Sequence, residues 1–157
     1  MKKKKKIKPL ILIGWQEPVD LPVLGLKNLI AKIDTGARTS ALHATDITRF
    51  ERDGQNWVRF HTGFDDDAHD TWVESPIHDV RDIKNTSGVP DERIIIRTKF
   101  RIAGHLWNID LSLTDRANMR FRMIVGRSAL KNHPIAVHTR DRNLTDLDSP
   151  SQKPEQE

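Results

Sequence analysis

A chain of 157 residues, 36% of them hydrophobic, is long enough for one domain with a modest buried core. It has no cysteine, which excludes a disulfide framework, a thiolate nucleophile and a thiolate metal site. The formal charge of +4 is local: Lys2 to Lys6 carry five positive charges, and without them the chain is close to neutral, so any contact with nucleic acid is expected to be weak and confined to that run.

Taken in chain order, residues 1–9 read as a basic disordered tail. The apolar run Leu10–Ile13 is shorter than the roughly 7–15 residues of a secretory core and the roughly 18 of a membrane span. This predicts a cytoplasmic protein with no membrane association, whose first strand is Leu10–Trp15. Leu29, Ala31 and Ile33 alternate with Ile30, Lys32 and Asp34, so a strand runs directly into Asp34. Ile47–Glu51 and Trp57–Thr62 flank Asp53-Gly54, a strong hairpin signal. Trp72–Val80 is the next predicted strand, after the polar loop Asp65-Asp66-Asp67.

The clearest alternation lies at 93–102. Ile94, Ile96, Thr98, Phe100 and Ile102 share one face; Arg93, Arg97, Lys99 and Arg101 share the other, a solvated one, with Ile95 the exception. Ala103-Gly104-His105 turns the chain, and Trp107, Ile109, Leu111 and Leu113 form the second strand of an antiparallel pair. Met123–Val125 is a short strand ending at Gly126, and Arg127–Asn132 has room for one or two helical turns before Pro134. From Asp141 the chain is polar, with Pro150 and Pro154, and 141–157 reads as a disordered tail. Many short strands, regular turns and almost no helical period predict one all-β domain over 10–140, a closed barrel with one short helix after Gly126.

Chemistry concentrates in Asp34-Thr35-Gly36. A strand that delivers Asp34 into a tight Thr-Gly turn presents a carboxylate well. Gly36 allows close backbone approach and unusual dihedrals, and backbone amides and the Thr35 hydroxyl are placed to hold the carboxylate oxygens. The same residues also fit an Asx-type turn in which Asp34 merely bonds its own backbone. About ninety positions downstream comes Phe121-Arg122-Met123-Ile124-Val125-Gly126-Arg127, two hydrophobic residues followed by Gly and Arg.

These two segments resemble a family of bacterial retropepsin-like aspartic peptidases often labelled "ATP-dependent zinc protease". The resemblance rests on Ile33-Asp34-Thr35-Gly36-Ala37-Arg38-Thr39-Ser40-Ala41-Leu42-His43-Ala44 and on Met119–Arg127, supported by Phe50–Gly54 and Trp57–Phe60. It covers about Ile13 to Val137. It implies a retropepsin-like barrel and an aspartic endopeptidase that works without a cofactor. Members occur beside ATP-grasp enzymes that add glutamates to proteins, so the implied partner is an acidic tail, glutamate-rich or polyglutamate, including that of a ribosomal protein. Asp34, Thr35 and Gly36 are then the catalytic set. Arg38, Thr39, Ser40 and Arg127 are assigned to substrate binding, Arg38 because a planar guanidinium on the same loop matches a carboxylate.

One Asp-Thr-Gly supplies one carboxylate where an aspartic peptidase needs two, and neither Asp110-Leu-Ser nor Asp115-Arg-Ala offers a second copy. A homodimer with Asp34 of each subunit at its axis is the expected solution. Asn85–Pro90, between two predicted strands, fits either a flap-like hairpin tip over the cleft or an ordinary surface loop. Two other functions stay open: a non-catalytic β-barrel binding acidic tails or ribosomal components, and a zinc hydrolase. The seven histidines form no His-Glu-x-x-His, so no metal residue is assigned, and no Gly-rich phosphate loop supports ATP hydrolysis.

Overall fold

The computed structural model describes residues 9–63, 71–84, 88–116 and 118–145. The lysine run, the acidic loop 65–67, the tip 85–87 and the end beyond 145 lie outside the described residues. Among the described residues there are twelve strands: β1 (Ile11–Gly14), β2 (Gln16–Leu21), β3 (Leu26–Ile33), β4 (Ser40–His43), β5 (Thr45–Arg52), β6 (Gln55–His61), β7 (Trp72–Pro76), β8 (Asp79–Lys84), β9 (Pro90–Ile102), β10 (His105–Thr114), β11 (Met123–Val125) and β12 (Ile135–His138). Among the described residues the helical segments are two 3₁₀ turns, Pro22–Leu24 and Arg127–Ala129.

Six strands close a barrel in the order β10-β4-β11-β3-β2-β9, with β9 pairing back onto β10. The β9–β10 wall is long and antiparallel, from Ile102 opposite His105 to Ile94 opposite Leu113. Its sequence alternation becomes burial: Ile94, Ile96, Thr98, Phe100 and Ile102 face the core, while the Arg97 and Arg101 side chains are exposed and meet Asp110 and Asp20. Ile95, the exception in the pattern, is buried as well, opposite Asp79 of β8, which lies along the outer side of β9. β5, β6 and β7 make a separate antiparallel sheet, and β1 pairs with β12 in parallel. The core gathers Ile13, Leu21, Leu42, Phe60, Phe100, Leu111 and Met123, each essentially inaccessible to water.

Two departures from the expected elements have local causes. The single strand expected over Trp72–Val80 is two. β7 pairs with β6 and β8 with β9, and the chain changes sheets at Pro76-Ile77-His78, where Ile77 donates to the Asn56 carbonyl and His78 to that of Ile95. Pro76 has no N–H to extend the β7 ladder. The helix expected after Gly126 is one 3₁₀ turn, because Trp107 Nε1 takes the Ala129 carbonyl at 2.8 Å and Pro134 lies close behind.

Two parallel pairings in this mostly antiparallel barrel position the site. β3 runs parallel to β11, with Ile33 opposite Val125 as the last matched pair, so both chains leave the barrel at one end. Asp34 and Gly126 therefore emerge side by side although ninety-two positions apart in sequence.

Candidate active site

The loop after β3 is built around its own aspartate. The Asp34 N–H donates to the Val125 carbonyl at 2.8 Å, which extends the β3–β11 ladder by one residue. Oδ1 of Asp34 accepts the N–H of Gly36 at 3.0 Å and that of Ala37 at 3.2 Å. The carboxylate is thus held by two backbone donors on one oxygen, in an Asx-type turn. Asp34 is half-buried and Thr35 and Gly36 are exposed.

The structure revises two details of the expectation. Gly36 does not adopt a left-handed backbone; it is glycine at a close approach, where a Cβ would stand 3.2 Å from Asp34 Oδ1. The two amides hold the carboxylate, and Thr35 contributes to the loop through its carbonyl, which accepts Nη1 of Arg127 at 2.9 Å.

The second segment locks this loop from the other side. Arg127 N–H donates to the Ala37 carbonyl at 2.8 Å and Ser128 N–H to that of Arg38 at 3.0 Å. Gly126 N–H donates to Oγ of Ser40, itself buried, at 3.0 Å. Gly126 lies so close to Thr39 that a Cβ there would meet its carbonyl carbon and oxygen at 2.6 Å. Among the residues assigned to substrate binding, then, Ser40 and Arg127 are engaged in holding the two segments together. Arg38 and Thr39 are exposed on the loop, and the Arg38 guanidinium makes no hydrogen bond or ion pair among the described residues.

Two neighbours of this loop complete its surroundings: His43, which the sequence marks as a packed or hydrogen-bonded residue near the Asp34 loop, and Arg116, which sequence reasoning did not single out. His43, at the end of β4, is 2% exposed; its Nδ1 accepts the N–H of Arg116 at 2.8 Å, and the ring also bonds the Gly63 backbone. Burial holds its pKa below the usual histidine value, against the opposing pull of Asp115, whose Oδ1 is 3.8 Å away. Arg116 is half-buried after β10 and lies within electrostatic reach of Asp34. The meeting of the two exists only in three dimensions, because β4 lies parallel to β10 with His43 opposite Thr114.

Among the described residues no three His, Asp or Glu side chains converge as a metal site, and the ring nitrogens of His43 are engaged by backbone groups. These residues do not fit a zinc centre. No helix among the described residues is long and apolar enough to cross a membrane.

Comparison with known proteins agrees with the barrel and its loops. Residues 12–146 match the model of a family described as RimB-like, retropepsin-like aspartic endopeptidase RimB. A probable alpha-L-glutamate ligase of Desulfotalea psychrophila is 39% identical over 126 residues, covering 79% of this chain and 27% of that protein. One of Parasynechococcus marenigrum is 37% identical over 139 residues, covering 87% of this chain and 30% of that protein. The chain therefore spans less than a third of the length of these relatives. The crystal structure of protein Lpg0085 of Legionella pneumophila, of unknown function, superposes with a TM-score of 0.71 at 25% identity, over 85% of this chain and 97% of that one.

Proposed function

The chain belongs to the RimB-like family of retropepsin-like aspartic endopeptidases, and from that premise we propose that it is an endopeptidase acting as a homodimer on acidic, glutamate-rich or polyglutamate tails, such as that of a ribosomal protein. The observation that carries this reading is the Asp34 loop: a half-buried carboxylate, one oxygen fixed by two amides, on a turn clamped by Gly126 and Arg127. Each chain brings one such loop, so two subunits supply the pair. Two carboxylates across a two-fold axis share one proton, because both cannot ionise easily at close range. The ionised one takes a proton from water as the water oxygen attacks the scissile carbonyl carbon; the protonated one gives its proton to the carbonyl oxygen. Collapse of the tetrahedral species breaks the C–N bond: the carboxyl that took the proton from water gives it to the leaving nitrogen, and the other carboxylate takes back the hydroxyl proton as the carbonyl re-forms.

The acidic substrate is supported by two observations. The matched region lies within proteins named as glutamate ligases, which favours a substrate carrying glutamates. The exposed Arg38, four residues after Asp34 and without an acidic partner among the described residues, offers a planar fork to a carboxylate. The test is incubation with poly-α-glutamate peptides, products being read by mass spectrometry, with sedimentation at the assay concentration. Cleavage by a dimer is expected. Peptide binding without cleavage moves the chain to the binding-module reading, and cleavage by a monomer ends the shared-dyad mechanism.

A further inference from the structure

Arg116 occupies a position that the mechanism above leaves unused. It is held at two points: its N–H donates to His43 Nδ1 at 2.8 Å, and its Nε donates to the Phe121 carbonyl at 3.2 Å. The Phe121 ring packs edge-on against Trp15, with centroids 6.3 Å apart, and the Trp15 carbonyl accepts the N–H of Ile33, the residue before Asp34. A continuous set of contacts thus joins Arg116 to the strand end that carries the aspartate.

The electrostatic setting is unusual for an arginine. Burial and the positive charge of Arg93 both work against protonated Arg116, and the nearby Asp34 carboxylate works for it. A guanidinium nonetheless stays charged. Several arginines have a directly bonded acid: Arg97 has Asp110 at 2.8 Å, Arg52 has Glu74 at 2.8 Å, Arg81 has Asp79 at 2.9 Å and Arg93 has Asp91 at 3.1 Å. Arg116 has none among the described residues. Its one side-chain bond uses Nε, which leaves the two terminal nitrogens for another acceptor. Two half-buried guanidiniums within reach of one another, one of them lacking an acid partner, repel until an anion lies between them.

We propose that Arg116, with Arg93 beside it, is a specificity residue that binds a carboxylate side chain of the peptide next to the scissile bond. The proposal rests on the acidic-peptidase reading and adds a named subsite to it. Position follows from the contacts that tie Arg116, through Phe121 and Trp15, to the strand end before Asp34, and from the register that sets Leu113 opposite Ile94, next to Arg93. Chemistry follows from the paired terminal nitrogens, which match the two oxygens of a carboxylate and which a lysine does not reproduce. Arg38, on the exposed loop, is then a second and more mobile contact.

The experiment compares kcat/KM on matched peptides carrying Glu or Gln at one position beside the cut, for wild type, Arg116→Gln, Arg116→Lys and Arg93→Gln. Wild type is expected to prefer Glu. Arg116→Gln is expected to reduce the Glu-over-Gln ratio about tenfold or more, with Arg116→Lys recovering only part and Arg93→Gln showing a smaller loss. A purely structural role lowers both rates together and leaves the ratio unchanged. An unchanged ratio in Arg116→Gln overturns the proposal while leaving the acidic-peptidase reading intact. If Arg116→Gln fails to fold, an unchanged ratio in Arg116→Lys and Arg93→Gln overturns it equally. Absence of any Glu preference in wild type overturns the acidic-substrate reading itself.

Discussion

Glu17 and Asp34 lie near the same end of the β2–β3 pair, since Glu17 faces Ala31 across the ladder, and both hang their carboxylates on backbone N–H groups. Glu17 is fully buried. Its Oε2 accepts from Gly14 at 2.5 Å and Leu144 at 2.8 Å, and its Oε1 accepts the N–H and hydroxyl of Thr145 at 3.1 and 2.8 Å. Asp34 is half-buried, and its two backbone donors both fall on Oδ1. The difference is saturation. Four donors close every face of Glu17 and turn it into a clasp between the barrel and residues 141–145. Asp34 is oriented through one oxygen, with the other left for a proton, a water or a second aspartate. An oriented but unsaturated carboxylate suits acid–base work; a saturated one suits structure.

The sharpest way to break this comparison is to change Asp34. Asp34→Asn keeps an Oδ1 that accepts both amides, so its unfolding free energy should stay within about 0.5 kcal/mol of wild type. On the proposed mechanism peptide cleavage should fall by about a thousandfold or more, since the dyad it invokes would lose a group that both takes and gives protons. Denaturant titration and a peptide assay check the two halves. Turnover near wild type in the folded variant would remove Asp34 from the mechanism.

Glu17 should behave in the opposite sense. Glu17→Ala leaves four donors without their acceptor, three of them on a segment that can swing out to water, and should cost about 3 kcal/mol or more in unfolding free energy. Glu17→Gln, which keeps one acceptor and places an NH₂ among donors, should fall between. A loss below about 1 kcal/mol for Glu17→Ala in chemical denaturation would mean that the clasp contributes little, and the contrast with Asp34 would fail.

How far the sequence carried this picture follows from the range of the signals. Asp34-Thr35-Gly36 and Val125-Gly126-Arg127 are local patterns, and the barrel walls β9 and β10 alternate clearly enough to read. Glu17 gave no signal, because its partners Leu144 and Thr145 are more than 120 positions away, in a stretch whose polarity suggested a tail. Residues 16–21 contain Pro18 and two acids and do not look like a strand; β2 is held as one by its pairing with β3. Ser40–His43 was legible as a motif but not as β4, whose neighbours β10 and β11 come from far downstream. Arg116 follows an alternating strand in a polar stretch, where only the fold reveals its approach to Asp34.

The clamp between the two loops gives a further test of how the open carboxylate is positioned. In Gly126→Ala the new methyl meets the Thr39 backbone at 2.6 Å, and backbone cannot yield as a side-chain tip would. The two segments must part, with a cost of about 1–3 kcal/mol from overpacking. Activity should fall further than stability, because Arg127 would no longer be set to hold the Thr35 carbonyl. Activity measured well below the unfolding midpoint, where the variant is folded, separates the two effects. Full activity there would show that the site tolerates a looser clamp.

The smallest expected effect concerns pH and runs through His43. Its folded-state pKa is lowered, chiefly by burial, with Arg122 and His61 acting in the same sense and Asp115 and the Gly63 hydrogen bond opposing. In the unfolded chain a histidine titrates near 6.5. Between the lowered folded value and about 6.5 the unfolded state therefore binds more protons, so stability rises with pH across that window. The contribution of His43 is complete above about pH 6.5 and erodes as pH falls below it. The chemistry agrees with the sign: a protonated Nδ1 cannot accept the Arg116 N–H, so acid loosens the anchor of that residue. Unfolding free energies between pH 5 and pH 8 should slope upward in wild type and less steeply in His43→Gln, whose neutral side chain does not titrate. Comparing slopes removes the constant cost of replacing a buried ring. Equal slopes in the two proteins would assign the acid sensitivity to other groups and leave His43 a packing residue alone.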